Sequence, residues 1–247
     1  KNFGPLLDDI DLDIFKKIEE VNFTKKLNSI YESLKLTSRN SLLNNKDLIG
    51  FIGAPWTILV YMLNKQSPKK KITSSLFNNE KLINELLILI KKFLKIHIKN
   101  QVENGASIIQ IFDSWAGLVE EKKISKYIYD PTSEIVEYVK SLNVPAICFP
   151  REIKDYKEFC EATKPDAVNI DYNVNPKEIT KNIKIPVQGG LDPKILLTDK
   201  ETLKKETLKY LEIFKNHPYI FNLGHGVLPE TNPEMVEYLV KTVKEYK

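Results

Sequence analysis

Along nearly the whole chain, short apolar runs alternate with longer stretches in which apolar residues recur every three to four positions. The runs fall at Leu48–Ile52, Ile108–Phe112, Ala146–Phe149, Ala167–Ile170, Ile185–Val187 and Tyr219–Asn222. Runs this short and this uniformly apolar are expected of parallel strands covered on both faces. The intervening stretches have helical periodicity. Leu82, Leu86, Leu89, Ile90, Phe93 and Leu94 share one side of the longest, and others are predicted at Pro131–Leu142, Tyr156–Thr163, Pro176–Ile183, Thr202–Lys215 and Pro233–Tyr246. Proline opening several of them suits a first helical turn, whose N–H has no partner to lose. Strand alternating with helix predicts an α/β fold with a parallel sheet. No low-complexity linker or short-period repeat interrupts it, so residues 1–247 read as a single domain.

Each run is followed by glycines and polar or charged residues: Gly53-Ala54-Pro55-Trp56, Asp113-Ser114-Trp115-Ala116-Gly117, Pro150-Arg151-Glu152, Asp171-Tyr172-Asn173, Gly189-Gly190-Leu191-Asp192-Pro193 and Gly224-His225-Gly226. Chemistry collected at the C-terminal ends of parallel strands is the habit of the TIM (β/α)8 barrel. An open doubly wound sheet shares the bias but is expected to carry a glycine-rich phosphate loop, and neither that loop nor a Walker-type one is present. Six strands are legible where a barrel has eight. A further pair would take roughly 60 residues and would have to lie upstream, and the chain does not begin with Met. The expectation is a TIM barrel lacking its first one or two βα units.

Composition narrows the class. Hydrophobic residues make up 42% and charged residues 28% of 247, as in soluble globular proteins. The most apolar stretch, Leu82–Ile98, contains Glu85, Lys91, Lys92 and Lys95 and is no membrane span. The start, Lys1–Pro5, lacks the layout of a secretory signal, so a cytoplasmic protein is expected. The net charge of +4 comes from 37 basic residues of which two, Arg39 and Arg151, are arginine. Lysine spread over helices among glutamates does not make a nucleic-acid surface, and Lys69-Lys70-Lys71 reads as a solvated loop. Cys148 and Cys160 form no metal-type spacing and no disulfide framework; a reduced, structural role is expected.

Several strand-end residues could carry chemistry. His225 stands between two glycines that would let the backbone turn sharply and expose the imidazole; a packed or surface histidine is the plainer alternative. There it could hydrogen-bond a carboxylate or, protonated, supply a positive charge. Ser114 could cap the next helix or donate its hydroxyl to a substrate, and no nucleophile-elbow motif surrounds it. Tyr61, in the helix opened by Pro55, could be core or could offer its phenol at the mouth, while Trp56 reads as structural. Asp171 and Asp192 could each cap the following helix, Asp192 before Pro193 especially. His97, His217 and His225 share no ligand spacing, and no metal is expected.

Together these segments resemble the uroporphyrinogen decarboxylase family over essentially the whole chain. The resemblance rests on Leu48 to Thr57, on Gly105-Ala106 followed by Gln110 to Gly117, on Val187-Gln188-Gly189-Gly190-Leu191-Asp192-Pro193, and most specifically on Asn222 to Glu230, which contains Gly224-His225-Gly226. It implies a homodimeric TIM barrel without metal or organic cofactor. It also implies conversion of uroporphyrinogen III to coproporphyrinogen III, with Tyr61, Ser114 and His225 as substrate-binding residues. In that chemistry a pyrrole acetate loses CO2 once the adjacent ring carbon is protonated, because the cationic ring accepts the electrons. A buried carboxylate facing the pyrrole N–H groups stabilises the cation, and arginines hold the remaining carboxylates.

The family's two-arginine N-terminal motif and its essential aspartate have no counterpart in these 247 residues. Neither arginine stands in such a motif, and Asp113, Asp171 and Asp192 do not replace that aspartate. The chain alone is therefore expected to be inactive. Two other readings remain: a zinc-dependent methyltransferase of the same superfamily, which would need a His-x-Cys that this chain does not offer, and a degenerate, non-catalytic tetrapyrrole-binding protein.

Overall fold

A computed structural model of the chain describes residues 7, 10–68, 72 and 75–246. Lys1–Pro5 and the run Lys69-Lys70-Lys71 lie outside the described residues. Three helices, α1 (Leu12–Lys17), α2 (Glu20–Lys26) and α3 (Asn28–Ser38), precede β1 (Ile49–Gly53). There follow α4 (Pro55–Asn64), α5 (Glu80–Glu103), β2 (Ile108–Asp113), α6 (Asp130–Ser141), β3 (Ala146–Pro150), α7 (Tyr156–Thr163), β4 (Ala167–Ile170), α8 (Pro176–Asn182), β5 (Val187–Gly189), α9 (Lys200–Phe214), β6 (Tyr219–Ile220) and α10 (Pro233–Glu245).

Among the described residues the strands form one six-stranded sheet in the order β1-β2-β3-β4-β5-β6, and all five pairings are parallel. A doubly wound sheet reverses its strand order at a switch point; strictly sequential order is that of a barrel wall. Curvature is visible in a single contact. Gln110 on β2 donates through Nε2 to Oε1 of Gln188 on β5 at 2.9 Å, in a buried bond. With β3 and β4 between those strands, and strands spaced about 4.8 Å apart, a flat sheet would hold the two side chains far beyond reach. The bond is a chord across a concave face.

Parallel register puts paired residues on the same side of the sheet. Ile52, Ile111, Cys148, Val168 and Val187 form one row beneath the helices, each at most 3% exposed. On the concave side Phe51, Phe112 and Phe149 meet edge to face, with centroids 6.0 and 6.2 Å apart. Phe51 on the outermost strand is 64% exposed whereas Phe149, two strands in, is 5% exposed. Ile220 on the opposite edge strand is 41% exposed. Apolar side chains bare only toward the two edges are what an unclosed barrel wall presents.

β1, β2 and β3 lie within one residue of their expected bounds, and the larger departures are at β5 and β6. β5 begins at Val187 rather than Ile185, because Pro186 has no N–H to give to a ladder. β6 stops at Ile220 rather than Asn222: Gly189 and Gly190 adopt φ of +88° and +105°, which ends the extended conformation of the partner strand, and pairing resumes only at a Leu191–Leu223 bridge. Before α6 the chain makes a π-helical turn over Ser125–Tyr129, so that helix starts at Asp130, one residue ahead of the expected proline. Both cysteines are free thiols, Cys148 buried, and burial raises both pKa values, Cys160 to about 12.

Candidate functional site

The C-terminal ends of β1 and β2 are tied together by one buried carboxylate. α4 starts at Pro55, directly after β1, and places Thr57 and Tyr61 one turn apart, a spacing that puts them on one side of the helix. Thr57 Oγ1 donates to Asp113 Oδ1 at 2.7 Å and accepts the Trp115 backbone N–H at 3.3 Å; the same N–H also favours the Asp113 carboxylate. Trp56 Nε1 donates to the Trp115 carbonyl at 3.0 Å. The Trp115 ring in turn meets Tyr61 edge to face, with centroids 6.1 Å apart. Ser114 therefore sits half-buried between two anchored residues, with the half-exposed Tyr61 ring against its neighbour. Burial pushes the Asp113 carboxyl up to about 7, against the pull of Thr57 and the Trp115 N–H.

Ser114 is not the cap of the following 3-10 turn; Trp115 holds that position, with no side-chain cap bond. Trp56 has the structural place expected of it, stacked on Tyr127 at 5.5 Å. Asp192 caps as expected, accepting from Lys194 N. Asp171 does not: α8 is capped by Asn175, while Asp171 Oδ2 reaches back to the Glu152 backbone N–H at 2.7 Å.

His225 is exposed after β6, and its Nδ1 accepts the Gly226 N–H at 2.7 Å. That bond leaves Nε2 as the ring nitrogen facing outward. The flanking glycines do not work as expected, since neither adopts a positive φ. Gly224 is needed for close approach instead: a Cβ there would lie 2.3 Å from the Tyr172 backbone nitrogen. The loop is thus pressed against the end of β4, where Asp171 feels His225 and Arg151 as positive charges that lower its pKa, against a larger upward push from burial.

Among the described residues, five buried side-chain polar atoms lack a hydrogen-bond partner, and four of them belong to Asp113, Trp115, Arg151 and Asp171. All four residues stand at the ends of β2, β3 and β4. Buried polar atoms are normally paired, so this concentration marks the strand ends as the place where a polar ligand would complete the structure. Neither Asp113 nor Arg151 was singled out by spacing; a signal was available in their position directly after apolar runs. The structure brings Tyr61 and Ser114 together through Trp115 and places His225 at the same end of the sheet, on its opposite edge.

A family model described as uroporphyrinogen decarboxylase (URO-D) matches residues 3–246. A uroporphyrinogen decarboxylase from Rickettsia bellii is 40% identical over 255 aligned positions, covering 100% of this chain and 74% of that protein. Another from Rickettsia africae is 36% identical, covering 100% and 73%. Of solved structures, a methyltransferase from Methanosarcina mazei superposes with a TM-score of 0.70 at 15% identity, over 98% of this chain and 70% of that one. A B12-independent methionine synthase from Shewanella gives 0.58 at 12% identity, over 87% and 64%. At such identities those likenesses speak for the fold alone, whereas the family match and the close relatives decide the kinship: this chain belongs to the uroporphyrinogen decarboxylase family.

Proposed function

We propose that Tyr61, Ser114 and His225 bind the tetrapyrrole substrate of this carboxy-lyase, uroporphyrinogen III, whose four acetate side chains are decarboxylated to give coproporphyrinogen III. The activity follows from family membership. Its assignment to this end of the sheet is supported by the concentration of orphaned polar atoms on Asp113, Trp115, Arg151 and Asp171.

The parts suit a polycarboxylate on a flat, electron-rich ring system. The Tyr61 phenol and Ser114 hydroxyl are donors to carboxylate oxygens. With Nδ1 of His225 accepting from Gly226, the ring proton of the neutral imidazole sits on the outward Nε2, which is then free to donate. The Trp115 ring offers an apolar face beside Tyr61. Asp113 has a different place: Thr57 and the Trp115 N–H engage its carboxylate, so it anchors the residues that meet substrate.

The resemblance assigns the carboxylate-clamping arginine pair and the essential aspartate to a motif these 247 residues do not contain. We read the protein as a cytoplasmic homodimer, on the resemblance; among the described residues no helix is long and apolar enough to cross a membrane. The test is titration with uroporphyrin, the oxidised substrate, read by tryptophan fluorescence, alongside an assay for coproporphyrinogen. Tyr61→Phe, Ser114→Ala and His225→Gln should each weaken binding by about three- to tenfold, the loss of one hydrogen bond. Unchanged affinity in all three contradicts the reading.

A further inference from the structure

Arg151 is the chain's one arginine at a strand end. Its backbone N–H donates to the Asp113 carbonyl at 3.1 Å and its own carbonyl accepts from Gly117 at 3.1 Å, which fixes it beside the Asp113–Ser114 corner. The guanidinium is mostly buried, at 19% side-chain exposure. One terminal nitrogen pairs with Glu152 at 2.9 Å, but Nε is buried without a partner. On the next strand Asp171 is 1% exposed. One of its oxygens accepts from Glu152 N and the other is buried and unpaired. Arg151 and His225 act on it as neighbouring positive charges. Arg151 thus lies along the rim between Ser114 and His225.

A guanidinium presents five donors in a planar fork matched to a carboxylate, and a buried donor left unpaired is costly, the more so when charged. Its present partner is a weak one. Glu152 is 48% exposed, and pairs of that kind contribute little in water, so an arriving carboxylate can displace it.

We propose that Arg151 is a further substrate-binding residue, taking one carboxylate of the tetrapyrrole on its guanidinium, with buried Asp171 as the counter-charge shared by Arg151 and His225. The proposal rests on the reading of Tyr61, Ser114 and His225 as the substrate site. It assigns to this chain a carboxylate clamp outside the N-terminal arginine motif.

The experiment measures uroporphyrin affinity for wild type, Arg151→Gln, Arg151→Lys, Glu152→Gln and His225→Gln, with melting temperature recorded for each. Arg151→Gln should bind about tenfold more weakly, as for loss of a charge-assisted hydrogen bond, at an unchanged melting temperature. Arg151→Lys should lose less, since it keeps the charge but not the fork. Glu152→Gln should bind at least as tightly as wild type because it frees the guanidinium. If Arg151→Gln binds like wild type while His225→Gln is impaired, the Arg151 assignment falls and the site stands. If Glu152→Gln loses as much affinity as Arg151→Gln and both melt lower, the pair is structural and the assignment falls. If wild type fails to bind, or neither Arg151→Gln nor His225→Gln matters, the site reading itself is refuted.

Discussion

Asp113 gives the account its sharpest thermodynamic consequence. The carboxyl is 3% exposed, one of its oxygens is bonded to Thr57 and the other has no partner. Burial carries its pKa from an ordinary 3.8 to about 7. At roughly 1.36 kcal/mol for each tenfold change in proton affinity, this corresponds to ~4 kcal/mol. The sign follows from the direction. The folded state binds this proton more tightly than the unfolded chain, so stability is greatest at low pH, falls as pH rises above about 4, and levels off above about 7. Asp113→Asn removes the ionisation but keeps an oxygen able to accept from Thr57 and Trp115. Urea unfolding of both proteins across pH isolates the effect, because the other titrations are shared and cancel in the difference. Relative to Asp113→Asn, the wild type should lose ~4 kcal/mol between about pH 4 and about pH 8. A difference that stays flat with pH would refute the linkage. A loss in the opposite direction would mean that the carboxylate is stabilised by groups other than Thr57 and the Trp115 N–H.

Three further outcomes follow from the same geometry. Gln110→Leu leaves the buried amide of Gln188 without its partner and should cost about 1–3 kcal/mol by chemical denaturation, whereas Gln110→Leu combined with Gln188→Leu should recover part of that loss. Gly224→Ala drives a Cβ to 2.3 Å from backbone and should destabilise by about 1–3 kcal/mol while weakening uroporphyrin binding through the displaced His225. Gly226→Ala, with nothing within 4 Å of its added Cβ and no left-handed backbone to strain, should stay within about 0.5 kcal/mol of wild type.

Much of this was legible in the sequence, and for a physical reason. A parallel strand covered on both faces is largely apolar, so β1 to β4 stand out as runs such as Ile108–Phe112 against the periodic helices, whereas β5 shares only Val187 with its predicted run. The same rule fails for α1 to α3. Among the described residues of those helices only Tyr31 is buried, and their weak apolar stripes announce no core face. The strand-end rule singles out Ser114 and His225 as candidates, because position after an apolar run is local information. The Thr57–Asp113–Trp115 knot was not legible, since Thr57 and Asp113 meet across 56 residues and neither residue type is unusual in its own segment. Arg151 was visible only as one arginine among many lysines. Its unpaired Nε and its place between Ser114 and His225 emerge only from the folded sheet. The glycines beside His225 teach the same lesson, since their number suggested freedom of the backbone while the structure uses Gly224 for the space a side chain would take.

We propose that one tetrapyrrole is held at the C-terminal ends of these strands by groups from both edges of the sheet. A crystal structure with uroporphyrin bound tests it most directly. Tyr61 Oη, Ser114 Oγ and His225 Nε2 should all lie within about 3.5 Å of polar atoms of the same molecule. A macrocycle seated elsewhere, for example in the apolar cavity of about 260 Å³ between Phe23, Met62 and Phe93, would contradict it.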